Sequence, residues 1–410
     1  MRAGQWIRLR DIPAAREQWE HAQRIADGLP PDQPEVADLQ VAPRALLVST
    51  SLYVGNDDAT AQRYREFRDM ATQTDDTRSL AIGTAGQLWS LTVNEENLRE
   101  AAALASELHR MAEDARWDTE ATGIVVNAVA FTKLANCELE SGLQAIGLLD
   151  VDRTPPTELA PAQALRGLLE LCLGRSEPGR RHLHEGIELA QADRPMTFTH
   201  TVLYAGAAVA LGLCHTDEFI DSLDQAVLAA DTIGDTSGVV CTRWAHGTAV
   251  LRAVPRPDTE AVDGLRQALS FIDGHSSMTF IKPTIIADLA VDAAYKGNRG
   301  QALADLRSGF ARYAAGGSKF FLGRLGETLV ELLIESGSEE ERAEAREIVE
   351  QWRGLRPGIA ALDLWWLRSR ALLAQSDGDS AGYSELSAQY LALCEKLDAR
   401  GRLDSARRMT

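Results

Sequence analysis

Along most of the chain apolar residues return at spacings of three, four and seven, the pattern of helices that bury one stripe. Ala15, Trp19, Ala22 and Ile25 make the first stripe, followed by Tyr64, Phe67 and Ala71, and then by Ala101, Leu104, Leu108 and Met111. Leu183, Ile187 and Ala190 continue the series, as do Phe219, Leu223, Ala226, Ala230 and Ile233, and Ala261, Leu265, Ala268 and Ile272. The last three stripes are Leu303, Leu306, Phe310 and Tyr313; Ala345, Ile348 and Trp352; and Tyr383, Leu386, Tyr390 and Leu393. Between them lie alanine-rich segments that are apolar on more than one side, such as Ile285 to Tyr295, Phe320 to Ile334 and Leu362 to Ala374. A helix of that kind needs neighbours on two or three sides. No β-type alternation lasts long enough for a sheet.

The two helix types alternate with a period near 40 residues, marked by turns around Gly55, Gly174, Gly297, Gly337 and Gly378. Gly174 and Gly297 are 123 residues apart, three units of 41, and Gly337 and Gly378 follow at 40 and 41. Polar loops separate the units at Pro30 to Pro34, Gln73 to Thr77, Asp152 to Thr157, Gly234 to Ser237, Gly274 to Ser277 and Gly316 to Lys319. The pattern predicts an all-α fold, a right-handed α/α superhelical solenoid of about ten helical hairpins. Residues 1–410 read as a single solenoid, with a bend or sub-domain boundary at 151–161. There the Pro-rich stretch Asp152 to Pro161 follows a weak fourth unit, whose second helix near Glu138 to Leu149 is short. The first repeat, residues 1–29, reads as truncated, because so little chain precedes the Asp11-Ile12-Pro13 turn. A cut hairpin exposes apolar surface, so the chain reads either as a piece of a longer ancestral protein or as one whose first repeat is covered by a partner or, in a homodimer, by a second copy.

Composition narrows the function classes. The chain carries 60 acidic and 42 basic residues, a net charge of −18, which opposes nonspecific attraction to nucleic acid or anionic lipid. No apolar run is long enough for a signal peptide or a membrane span, and a cytoplasmic protein is expected. Only Lys133, Lys282, Lys296, Lys319 and Lys396 are lysines, a coding bias of high-GC bacterial genomes. Cys137, Cys172, Cys214, Cys241 and Cys394 lie far apart without a Cys-x-x-Cys pair, as expected of reduced thiols packed as small hydrophobes. No metal and no cofactor are expected.

Catalytic constellations are sparse. GGSK at Gly316 to Lys319 has the wrong order for a phosphate-binding loop and reads as an inter-repeat turn. HLHEG at His182 to Gly186 lacks a second zinc ligand four residues on, and its two histidines project in different directions from a helix. No Gly-x-Ser-x-Gly elbow occurs, and the acidic groups at Glu95-Glu96 and Glu339 to Glu341 sit at helix starts, where carboxylates favour the helix dipole. Among the aromatics, Trp365-Trp366 can place only one ring fully in a core. Trp244 and His246 lie on a first helix, the type that lines the concave surface of such solenoids. Trp244, His246 and Trp366 are therefore the candidate contacts for a partner or ligand.

The repeat phrases resemble tetratricopeptide repeats in a degenerate version longer than the usual form. DIPAAREQWEHAQRIAD at Asp11 to Asp27 is similar to the early repeats of large actinobacterial (mycobacterial-type) regulators. DLWWLRSRALLAQSDGDSAGYSELSAQYLALCEKLDARGRLDSARRM at Asp363 to Met409 is similar to their C-terminal end. Those proteins join an adenylate or guanylate cyclase domain, or a LuxR-type helix-turn-helix, to an AAA-like ATPase and a helical-repeat tail. The resemblance implies the tail alone, since no cyclase aspartates, Walker motif or DNA-binding helix pair occurs here, and it implies no enzyme activity for these residues.

Three functions follow from this reading. The first is a non-catalytic module that binds a protein or peptide partner on its concave face in signalling or transcriptional regulation. The second is a sensor of a small-molecule effector held in the superhelix. The third is an enzyme on an α/α toroid, disfavoured because acids and histidines are scattered.

Overall fold

The structure is a computed structural model that describes all residues except 1–3, 5, 6, 8, 9, 31–35, 52–57, 75, 95, 96, 234, 254–257, 276, 317, 318 and 336, and the side chains of 58–60. The turn at Gly55, the Glu95-Glu96 pair, Gly234, most of Pro30 to Pro34, the middle of Gly316 to Lys319 and most of the chain before Arg10 lie outside the described residues.

Among the described residues the chain is all-α, a solenoid of stacked helical hairpins. Helix α1 (Ile12–Asp27) precedes a run of first-helix and second-helix pairs: α2 (Val36–Ser49) with α3 (Asp58–Thr72), α4 (Thr77–Thr92) with α5 (Leu98–Asp114), and α6 (Thr119–Ala135) with α7 (Leu139–Ile146). Next come α8 (Pro156–Cys172) with α9 (Ser176–Ala192), and α10 (Pro195–Thr201) with α11 (Leu203–Leu211), two halves of one first helix, paired with α12 (Ile220–Ile233). The series closes with α13 (Thr236–Ala253) and α14 (Thr259–His275), α15 (Lys282–Tyr295) and α16 (Arg299–Gly316), α17 (Leu322–Glu335) and α18 (Glu339–Leu355), α19 (Ala360–Ser376) and α20 (Ser380–Lys396), and finally α21 (Arg400–Met409).

Side-chain caps start many of these helices. Asp11, Asp76, Asp118, Ser338 and Asp379 each accept a hydrogen bond from the backbone N–H three residues on, satisfying a donor the first turn would otherwise leave open. The turns use the left-handed backbone region, with Gly174, Gly297, Gly337 and Gly378 at φ between 69° and 86°. In the fourth unit Cys137 holds that position at φ 63°.

The 40-residue period is physical as well as statistical. Thr92 and Thr132 share a hydrogen bond of 2.7 Å, Trp244 Nε1 donates to Thr284 Oγ1 at 2.7 Å, Trp117 Nε1 donates to Thr77 Oγ1 at 3.3 Å, and Arg78 Nε donates to Asp118 Oδ2 at 2.5 Å. Each pair is 40 residues apart, so equivalent positions of adjacent units touch.

Most stripe residues are buried, and the one that is exposed has a geometric reason. Ile25 is 56% exposed while Ala26 is buried, because at 100° per residue the position seven after Trp19 returns to its face and the position six after does not. Trp365 and Trp366 are both buried. Trp366 escapes the limit expected of adjacent rings by packing toward α18, where its Nε1 donates to Val349 O at 3.2 Å and the guanidiniums of Arg356 and Arg370 lie 4.0 and 4.6 Å from its ring centroid. Helix α8 begins at Pro156 and runs through Pro161. The second helix of the fourth unit, α7, is 8 residues long.

Helices α8 and α9 approach each other closely. A β-carbon on Gly186 would stand 2.5 Å from Ala164 N, and one on Gly167 would stand 2.5 Å from Gly179 O, so these positions admit backbone against backbone only without a side chain. We expect Gly186→Val to destabilise this hairpin by about 1–3 kcal/mol by overpacking. Chemical denaturation checks it; an unchanged midpoint would mean that the two helices separate freely.

The array coils until its end meets its middle. Ser176 Oγ donates to Leu397 O at 2.6 Å, and Arg180 bonds both the carboxylate and the carbonyl of Asp398 at 2.5 Å. Arg402 Nε donates to Leu211 O at 3.0 Å, and Thr279 Oγ1 reaches Val93 O at 3.4 Å from the other half of the chain. The inner face is thus largely filled, and what remains open within it is a cavity.

Candidate functional site

The first helices α2, α4, α6, α8, α10, α11 and α13 turn one side inward and together line a cavity of ≈ 160 Å³. Its walls are partly aromatic, because α4, α6 and α11 each deliver a ring. Trp89 of α4 stacks on Phe131 of α6 at 4.7 Å between centroids and 27°, and Tyr204 of α11 meets Phe131 edge-on at 6.4 Å. Phe280 enters from the loop before α15 and packs edge-to-face on Phe131 at 5.2 Å and 86°. That loop is held in an unusual form: Met278 takes φ 59°, a left-handed conformation that costs a non-glycine residue about 1–2 kcal/mol. Ile124, Met196 and Leu203 complete the apolar surface.

Besides the hydroxyls of Ser49, Thr50, Thr157 and Thr197, amide, carboxylate and imidazole groups interrupt it. Asn127 of α6 is 5% exposed and donates through Nδ2 to Glu158 O at 2.8 Å. The carbonyl can only accept, which fixes the amide orientation and leaves Asn127 Oδ1 as a buried acceptor without a partner. Glu158, in the first turn of α8, also lines the cavity. At the rim His200 of α10 shares a 2.5 Å hydrogen bond with the buried Asp235, which also accepts from Ser237 N and Oγ. Burial pushes the Asp235 carboxyl up, but the neighbouring His200 and the Ser237 and Gly238 hydrogen bonds outweigh it and hold it below the usual carboxylate range. Among the described residues no lysine or arginine lines the cavity.

The opposite half of the inner face is closed by ion pairs. Glu327 of α17 lies 3.0 Å from Arg402 of α21 and 3.3 Å from both Arg324 and Arg368. Arg324 pairs also with Asp288 at 2.7 Å, and Arg368 with Glu331. Burial alone would raise the Glu327 carboxyl, yet the three arginines bring it down to about 2. Arg252 stands beside this network with its Nε and Nη2 buried and unbonded, and burial lowers it to about 9.

The three residues singled out in the sequence do not come together at the cavity. Trp244 is fully buried, edge-on to Phe321 at 5.8 Å, and serves the packing between α13 and α15. His246 points to the second helix before it, with Nε2 2.9 Å from Asp224 Oδ1. Trp366 lies under α18. One turn before Trp244, Cys241 is the α13 side chain that does line the cavity. The residues sequence reasoning missed, Trp89, Phe131, Tyr204, Phe280 and Asn127, carried a faint signal. Trp89 and Phe131 are 42 residues apart and Phe280 and Phe321 are 41 apart, aromatic positions repeating with the array.

This geometry defines a tetratricopeptide-like helical-repeat protein with an inner-face cavity. No protein-family model matches the chain, and no curated protein matches it in sequence. Among solved structures it is similar to a Rap protein complexed with Competence and Sporulation Factor, with a TM-score of 0.51 and 12% identity over 81% of this chain and 96% of that one. It also aligns with a human IFIT1 dimer with PPP-AAAA, at TM-score 0.38 and 14% identity over 92% of this chain and 95% of that one. At these identities the likeness concerns the fold. Among the described residues no helix is long and apolar enough to cross a membrane.

Proposed function

We propose that the chain is a non-catalytic binding module that takes a peptide or protein segment on its inner face, in signalling or transcriptional regulation, and that it corresponds to the helical-repeat tail of the actinobacterial regulators it resembles. The observation that carries this reading is the cavity, built by consecutive first helices and walled by aromatic rings. Concave sites of this make are where repeat proteins and small ligands usually meet. The Rap protein of similar fold was solved with a bound factor, which is in keeping with it. Catalysis has little to work with at the cavity: burial pushes the Cys241 thiol up to about 12, so it stays protonated, and the His200 nitrogen nearest a carboxylate is occupied by Asp235.

The test is a random-peptide display selection on the wild-type chain. Selected peptides should lose about tenfold or more in affinity, roughly 1.4 kcal/mol, on Trp89→Ala with the helical content unchanged. A selection that enriches nothing, or peptides that bind the variant equally, would remove the inner face as the binding site.

A further inference from the structure

The cavity has a chemistry more specific than its being apolar. Its volume, ≈ 160 Å³, is close to the about 150 Å³ that admits a benzene ring into an apolar protein cavity. Trp89 and Phe280 both pack on Phe131, so the walls suit a further aromatic ring. Beside these rings stand hydrogen-bonding groups without a partner. Asn127, one turn before Phe131 on the same face of α6, keeps its Oδ1 buried and unbonded. Tyr204, edge-on to Phe131, is 2% exposed, and among the described residues no group hydrogen-bonds its hydroxyl. Burial pushes that phenol up, so the hydroxyl keeps its proton and remains a donor. Buried polar groups normally find partners, and a bare hydrocarbon ring would leave both of these unsatisfied. A ligand that fits therefore brings a hydrogen-bonding group of its own.

That group is uncharged. The acidic and basic side chains lining the cavity are already matched within the protein: His200 is the charge partner of Asp235, and Glu158 is not a free carboxylate. An entering ion would give up its hydration and meet no unmatched counter-charge, whereas a neutral hydroxyl gives up far less. A hydroxyl is also donor and acceptor at once, as an open acceptor and an open donor require. We propose that the cavity recognises an uncharged phenol, with its ring against Phe131 and its hydroxyl donating to Asn127 Oδ1 and accepting from the Tyr204 hydroxyl. Two sources present this group: a free phenolic molecule, and the side chain of a tyrosine in a peptide. The assignment rests on the inner-face cavity being the binding site and adds the identity of the group that enters it.

Calorimetric titration of the full chain at pH 7, where a phenol is neutral, tests it with phenol, benzene, benzoate and benzylamine. Phenol should bind at least about tenfold more tightly than each of the others, a difference of roughly 1.4 kcal/mol. Tyr204→Phe and Asn127→Leu should each reduce the advantage of phenol over benzene, and Ile124→Trp, which fills the cavity but keeps both polar groups, should abolish binding of either ring with the helical content unchanged. Acetyl-Gly-Tyr-Gly amide binding more tightly than phenol, and losing that gain when phenylalanine replaces the tyrosine, would identify the peptide source; the reverse order would identify the small molecule. Benzene, benzoate or benzylamine binding as tightly as phenol, or an advantage of phenol that survives both Tyr204→Phe and Asn127→Leu, would overturn the assignment. If no probe binds while display-selected peptides still depend on Trp89, the chemistry proposed here fails and the site stands; if those peptides are also indifferent to Trp89, both fail.

Discussion

Glu327→Gln lowers the stability of the C-terminal units by about 3–5 kcal/mol, the cost of breaking a buried ion pair and leaving its cations unmatched. Glu327 lies within 3.3 Å of three arginines, and Arg402, like Glu327 itself, is almost wholly buried as a side chain, while Arg324 is 13% exposed. The amide keeps the shape of the carboxylate and cannot neutralise Arg402, whose other bonds, to Leu211 O and the Tyr390 hydroxyl, supply no charge. The pH dependence has a definite sign. Glu327 titrates near 4.5 when unfolded and is brought down to about 2 in the fold, so its contribution is complete above about pH 4.5 and is lost as the pH falls through about 2. Urea denaturation at pH 7 and at pH 3 measures both effects: the gap between wild type and variant narrows in acid. A gap that widened in acid would contradict the ion-pair account. Because stability in a repeat array is a sum over units and their interfaces, the loss should concentrate in α17 to α21, in the contact of α21 with α11 and in that of the turn at Asp398 with α9.

Trp244→Ala costs about 3–5 kcal/mol, as expected for removing a fully buried indole, with Thr284 Oγ1 losing its donor as well. Its binding phenotype should follow only from unfolding. Trp89→Ala has the opposite profile, since the ring borders the cavity and is half-buried: a smaller loss of stability and a direct loss of binding. Thermal denaturation and peptide affinity measured on both variants separate a packing tryptophan from a binding one. If Trp244→Ala left stability intact and removed binding, the assignment of the two rings would be reversed.

The fold was legible because its information is local and repeated. Stripes such as Ala261, Leu265, Ala268 and Ile272, all buried, need only the 3.6-residue period to be recognised, and the turn glycines mark the hairpins because only a left-handed residue ends those helices cheaply. Cys137 shows where that signal fails, since a cysteine in the same conformation has no turn-like identity. The site was less legible. Sequence places Trp244 and Trp89 alike on first helices, but which side of a helix faces inward depends on how tightly the units coil, a non-local property. The coil is fixed by contacts that sequence spacing does not announce: Arg180 with Asp398, Arg402 with Leu211, Thr279 with Val93. Those contacts bring Phe280 onto Phe131 and make a cavity from segments remote in the chain.

Backbone amide hydrogen exchange of the chain with and without a display-selected peptide tests the central claim, that ligands are received on the inner face. The account predicts slowed exchange in α4, α6, α10 and α11 and in the loop carrying Phe280, with α5, α9 and α14 unchanged. Protection confined to the second helices, leaving Trp89, Asn127 and Phe131 unaffected, would contradict it.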